Sequence, residues 1–306
     1  MLNRRILRIK AFKALYAYAE NPAMSLKEAE TLLEHSCEAT RDLYLFMLSV
    51  ICALTDEARE RMEAAKTKFN PTEEELNPNL KFISNSVTPL LAEDPDFTKL
   101  IAKKKFSWDQ YDVLLRNLYD KIRGREYFRK YMESGESSLA EDASLWIRIF
   151  EKEFEDNDAL WTILEDLNIF WTDDLPYVLI CCCRTLGELK EGKRWSLPPL
   201  FQSEMPGNEG RENDKEFVVK LLRKAYLNYD SYCAQVAERT PKWDKSRICV
   251  TDLCLIGCGL AEAEAFPLTP HRIIINEYVE ISKYYSTPES RAFVNGLLDR
   301  LIDKNE

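Results

Sequence analysis

Nowhere in this sequence of 306 residues do polar and apolar side chains alternate over a sustained run, the period-two pattern that a half-buried strand requires. Apolar residues recur instead at spacings of three and four, which places them on one face of a helix. The reading is therefore all-α. Glycine supports it: 9 in the whole chain is well under the usual frequency of about 7%. The same scarcity removes the glycine-rich phosphate loops, since neither G-x-G-x-x-G nor G-x-x-x-x-G-K-[ST] occurs. Two histidines, His35 and His271, leave no H-E-x-x-H site.

Breakers divide the helical pattern into segments. Residues 3–19 read as one helix closed by Asn21-Pro22. Ser25-Leu-Lys-Glu28 has the form of a capping box and opens a helix to about residue 35. A separate long helix is expected over residues 40–68, and a mixed region follows over 72–107. Further helices are expected over 109–132, 141–154, 158–170 and 175–189. Residues 191–214, with Pro198-Pro199, Pro206-Gly207 and Gly210, read as a linker. The last third reads as helices over 214–238, 243–265, 270–285 and 287–301. The longest apolar run, residues 43–54, falls short of the roughly 20 residues that span a bilayer, so no membrane segment is expected. Nine cysteines in apolar surroundings, three of them consecutive at Cys181–Cys183, suit free thiols in the cytoplasm better than a disulfide framework. Cys254 and Cys258 share a helix face but have no second ligand pair nearby, so no metal and no other cofactor is expected.

The net charge of -10 argues against nucleic acid only until it is located. Residues 1–20 carry Arg4, Arg5, Arg8, Lys10 and Lys13 against Glu20, a sum of +4, and residues 211–306 sum to -1. Residues 21–210 hold the remaining -13. On the first helix Arg4, Arg5 and Arg8 share one end of a face, with Tyr16 two turns on. Cations beside an aromatic ring on one helix suit phosphates and an unpaired base. Near the other end of the chain, Lys283, Tyr284 and Tyr285 close a helix whose Ile273, Ile274, Val279 and Ile281 are expected to pack inward. Asn276 and Asn295 lie inside apolar runs and are expected to bridge helices. Gly296, inside a helical pattern, suggests close helix packing.

These two ends carry a resemblance. Residues 3–16 have the form N-R-R-x-x-R-x-x-A-x-x-A-L-Y. Residues 275–284 read I-N-E-Y-V-E-I-S-K-Y, followed by F-V-N-G-L-L-D at 293–299. Together they resemble the N- and C-terminal signatures of the NusB transcription antitermination family, in the long Bacteroides-type form with a large insert. The resemblance implies an all-helical bundle built from residues 1–20 and 211–306, interrupted by an acidic helical insert over 21–210. It implies a non-enzymatic role: binding single-stranded boxA-like RNA together with the small-subunit ribosomal protein NusE, within the RNA polymerase antitermination complex. Residue by residue it implies RNA contacts at Arg4, Arg5, Arg8, Lys13, Tyr16, Lys283, Tyr285, Glu289 and Phe293, and a partner contact at Asp252. Homodimerisation stays open. One departure is Ile256-Gly-Cys-Gly-Leu260, where relatives carry apolar and basic residues, because each helical glycine costs about 1 kcal/mol relative to alanine. The other reading is an adaptor that docks on polymerase or ribosome-assembly complexes through the acidic insert. A methyltransferase of the kind that carries a NusB-like domain finds no glycine-rich cofactor loop or catalytic cysteine motif.

Overall fold

The computed structural model describes residues 1–193, 196–205, 207–208, 213–241 and 248–302. Fifteen α-helices make up the fold among these residues, with three short 310 turns and a single parallel bridge between Leu2 and Phe201. The chain forms two compact units. One combines Met1–Glu38 with Pro199–Glu306, and the other is Ala39–Pro198.

In chain order the helices are α1 (Arg4–Glu20), α2 (Leu26–Lys66), α3 (Glu73–Leu76), α4 (Val87–Ala92), α5 (Pro95–Lys104), α6 (Asp112–Arg123), α7 (Glu126–Glu133), α8 (Leu139–Glu153), α9 (Asp158–Leu167) and α10 (Leu175–Gly187). They continue with α11 (Asp214–Leu227), α12 (Tyr229–Arg239), α13 (Val250–Ala265), α14 (His271–Tyr285) and α15 (Ser290–Ile302). The capping box is formed: the Ser25 amide donates to Glu28 Oε2 and the Glu28 amide to Ser25 Oγ. The helix it opens does not stop near residue 35. No proline or glycine lies between Ser25 and Lys66, so α2 runs unbroken for 41 residues and contributes its first turns to one unit and the rest to the other. Conversely, Gly124 divides the segment expected as one helix over 109–132, and Asn228 divides the one over 214–238. Trp243, expected in a helix, lies outside the described residues, as do Pro206 and Gly210 of the expected linker; α13 begins at Val250.

In the first unit α13 is the central helix, packed by α1, α11, α12, α14 and α15. Nearly all of its side chains from Cys254 to Glu262 are buried, which is why its residues lack a polar face. Its glycines explain themselves here. A Cβ on Gly259 would lie 2.7 Å from Leu298 Cδ2 and 3.3 Å from Tyr278, so Gly259 is where helices approach closely. Gly296 is not, since nothing lies within 4 Å of its Cβ position. Residues 199–202 are part of this unit rather than a plain connection: the Leu2 amide donates to Leu200 O at 2.7 Å, the Gln202 amide to Leu2 O at 3.2 Å, and Phe201 is buried.

The second unit has its own aromatic core. Phe46 stacks on Trp108 at 4.2 Å and on Trp171 at 5.4 Å, and Trp146 is fully buried beside Phe82. The indole nitrogens of Trp108 and Trp171 donate to Ser49 Oγ and Ala39 O. Cys181 and Cys182 are buried within it. No helix of the described residues is long and apolar enough to cross a membrane.

Candidate nucleic-acid interface

The three N-terminal arginines share a helix face in the sequence but not an environment in the fold. Arg8 is buried at 6% exposure and grips Glu262 through Nε and Nη2 at 2.8 and 2.5 Å. The Tyr278 hydroxyl donates to the same carboxylate at 2.9 Å. Burial and the Glu262 charge push the Tyr278 phenol far up, so it remains a donor. Arg4 donates to Asp214 Oδ1 at 2.6 Å and lies 3.9 Å above the Phe217 ring, a cation–π contact. Only Arg5 stands well out, with 52% of its side chain exposed. Both its Nε and Nη2 bind Glu277, at 2.8 and 2.7 Å. That hydrogen bond holds the Glu277 carboxyl below its ordinary range against the effect of burial.

Two turns along α1 the sequence expectation assembles. Lys13 Nζ lies 5.2 Å from the Tyr285 ring centroid, and Phe12 spaces Tyr285 from Tyr16, at 5.5 and 6.4 Å. Tyr16 is 37% exposed, and Tyr284, next in line on α14, is 82% exposed. Lys283 is exposed and paired with Glu280 one turn back. The surface thus presents two cations and three tyrosines drawn from α1 and the last turn of α14. Tyr284, the last residue of the I-N-E-Y-V-E-I-S-K-Y run, was not among the expected contacts.

The remaining expected residues lie elsewhere. Phe293 lines an open pocket of about 430 Å³ with Arg239, Thr240, Pro241, Gly296 and Arg300, so the α12 end and α15 supply two arginines that the sequence reading passed over. Glu289 is exposed just before α15. Asp252, expected at a partner contact, is turned inward. At 5% exposure its carboxylate accepts from Ser286 Oγ at 2.6 Å and Ser290 Oγ at 2.8 Å, which fixes the α14–α15 corner. Asn276 and Asn295 do not bridge helices either: both are exposed, and Ile273 is 49% exposed while Ile275 packs inward in its place. Burial pushes the Cys254 thiol up to about 12 and that of Cys258 well above its ordinary value, so both pack as neutral groups.

The sequence model of the NusB family matches residues 196–303. The transcription antitermination protein NusB of Bacillus mycoides is 31% identical over 107 residues, which is 35% of this chain and 82% of that protein. The chain belongs to the NusB family. The NusB protein of Alkaliphilus oremlandii is 31% identical over 93 residues, covering 30% of this chain and 67% of the relative. For the NusB protein of Chloroherpeton thalassium the figures are 33% over 85 residues, with 40% of that protein covered. No solved structure matches the chain. The matched NusB segment reaches back to residue 196, earlier than the expected start at 211. Within that segment, residues 199–202 pair with Leu2. The match does not include α1, which packs on α11 and α13.

Proposed function

We propose that this chain is a transcription antitermination factor that acts in the cytoplasm by binding single-stranded, boxA-like RNA of ribosomal operon leaders together with the ribosomal protein NusE. In this reading the complex joins the polymerase antitermination machinery, and the chain's part in it is binding rather than catalysis. The observation that carries the reading is the cluster of Lys13, Tyr16 and Tyr285 around Phe12, with Arg5 two turns away on the same helix and the exposed Tyr284 next to Tyr285 in sequence. Lysine and arginine neutralise phosphates, and exposed tyrosines stack on unpaired bases at about 1–3 kcal/mol each. Phe293, flanked by Arg239 and Arg300, offers a further aromatic–cation pair of the same kind.

The test is RNA binding by the wild type and by a Lys13→Glu/Tyr16→Ala variant, with and without NusE, across a salt series. Both side chains can change without opening the core. Loss of affinity with a shallower salt slope is the expected result, and equal affinity in the two proteins sinks the reading. Arg8 is unsuitable for this test, because its removal strands the buried Glu262. The adaptor reading rests on a different observation, the exposed Val113, Ile169 and Ile180 of the unit Ala39–Pro198. It predicts protein partners that survive loss of RNA binding.

A further inference from the structure

Residues 39–198 carry 30 acidic against 22 basic side chains, yet the stretch Lys121–Lys130 has five basic residues and one acidic. The fold does not scatter these cations. The α6–α7 junction and α7 meet α8 around a pocket of about 610 Å³ lined by four cations, Arg125, Lys130, Arg148 and Lys152, together with Tyr127 and the carboxylates Glu126 and Glu153, within the range of small-ligand sites.

Glu153, the buried carboxylate of the pocket wall, has no capacity left. Its Oε1 accepts from Arg125 Nε at 2.7 Å and the Tyr127 hydroxyl at 3.0 Å. Its Oε2 accepts from Arg125 Nη2 at 3.0 Å and pairs with Lys121 at 3.1 Å. Burial alone would raise its pKa, but these donors hold it below the ordinary value, so it stays ionised and pins Arg125 at the rim. Lys130 pairs only with the exposed Glu126 one turn back, an interaction worth little. Arg148 and Lys152, one turn apart on α8 and both exposed, have no hydrogen-bond or ion-pair partner among the described residues. The pocket therefore holds the guanidinium of Arg148 and the ammonium of Lys152 side by side, while its two lining carboxylates, Glu153 and Glu126, are already paired.

We infer that this pocket is a second anion site, which takes the phosphate of a nucleotide, free or within an RNA strand. A carboxylate matches one planar fork, whereas the non-bridging oxygens of a phosphate, three in a monoester and two in a diester, are set tetrahedrally and can be shared among Arg148, Lys152 and Lys130. The site lies in the part of the chain that the family match does not cover, and it does not depend on the function proposed above.

The test uses the full chain and an Arg148→Ala/Lys152→Ala variant, both also made in a Lys13→Glu background that weakens the α1 surface. Both substitutions are at exposed positions and leave the Arg125–Glu153 pair intact. A labelled oligouridylate is the probe, with inorganic phosphate, adenosine monophosphate and polyglutamate as competitors. In the Lys13→Glu background the double alanine change is expected to weaken oligouridylate binding about tenfold and to reduce the salt slope by about 1.4, two contacts at about 0.7 each for a single strand. Displacement by adenosine monophosphate and phosphate identifies a free-nucleotide site, and resistance to both identifies recognition within the strand. Unchanged affinity and slope overturn the inference, and so does displacement by polyglutamate at equal charge, which would mark a site for acidic peptide. Loss on Lys13→Glu alone leaves the proposed function standing and this inference refuted. Loss on the alanine pair alone does the reverse.

Discussion

Three arginines with one sequence signature have three different structural fates, and their substitution should separate accordingly. Arg8 and Glu262 form a buried pair, and breaking such a pair leaves a charge without its partner at a cost of about 3–5 kcal/mol. Arg8→Ala is therefore expected to lower unfolding stability by about 3 kcal/mol in a denaturant titration. Arg5→Ala, at an exposed pair, should cost under about 1 kcal/mol. Glu277 occupies the Arg5 fork that a phosphate would use, so Glu277→Gln should tighten single-stranded RNA binding several-fold at low salt. The same residue makes a pH prediction. Arg5 lowers the folded pKa of Glu277, so this residue's stabilisation is complete above the unfolded glutamate value, about 4.3. It is lost as pH falls from there through the lower folded value. Acid titration of stability should show a smaller drop in the Gln variant than in the wild type over that window.

At the scale of elements, helix type was legible for the long segments because 3/4 periodicity is a local property of the sequence. It was not legible for the short helices α3, α4 and α5, which at 4, 6 and 10 residues hold too few turns to show it and lie in the region that reads as mixed. Boundaries were legible where a breaker acts alone, as at Asn21-Pro22. They were not legible at residues 36–39, where nothing interrupts α2, nor at Gly124 and Asn228, where local periodicity runs across a bend set by packing. The two glycines near the C-terminal helices show the same limit. Gly296, the one in the family motif, faces open space, while Gly259, which departs from the family pattern, is held against Leu298 and Tyr278. Gly296→Ala is expected to stabilise the chain by about 0.5–1 kcal/mol through helix propensity. Gly259→Ala is expected to destabilise it by about 1–3 kcal/mol through overpacking. Thermal unfolding of the two variants in opposite directions would confirm the assignment. A destabilised Gly296→Ala would refute it.

For the whole molecule, the charge of -10 conceals a division between a family-like part and an acidic block, and the two compact units follow a similar but not identical division. Each unit has a buried carboxylate clamp of its own: Glu262 with Arg8 and Tyr278 in one, Glu153 with Arg125, Lys121 and Tyr127 in the other. Because stability is local, Arg8→Ala is expected to raise native-state amide exchange in α1, α13 and α14. Glu153→Gln is expected to raise it in α6, α7 and α8. Equal loss of protection in both units from either change would show that they open together.

The sequence by itself determined the helical class, the family signatures at the two ends and the location of the acid. Each of these is a property of residue order and needs no partner in space. The tertiary structure alone decided which cations are available. Arg8 and Arg5 are three residues apart on one helix, and what distinguishes them is the approach of Glu262 and Glu277 from helices more than 250 positions away. It likewise turned Asp252 inward and brought Arg148 and Lys152 beside the Lys121–Lys130 run. Burial and ion pairing depend on what the rest of the chain places opposite a side chain, and local sequence carries no record of that.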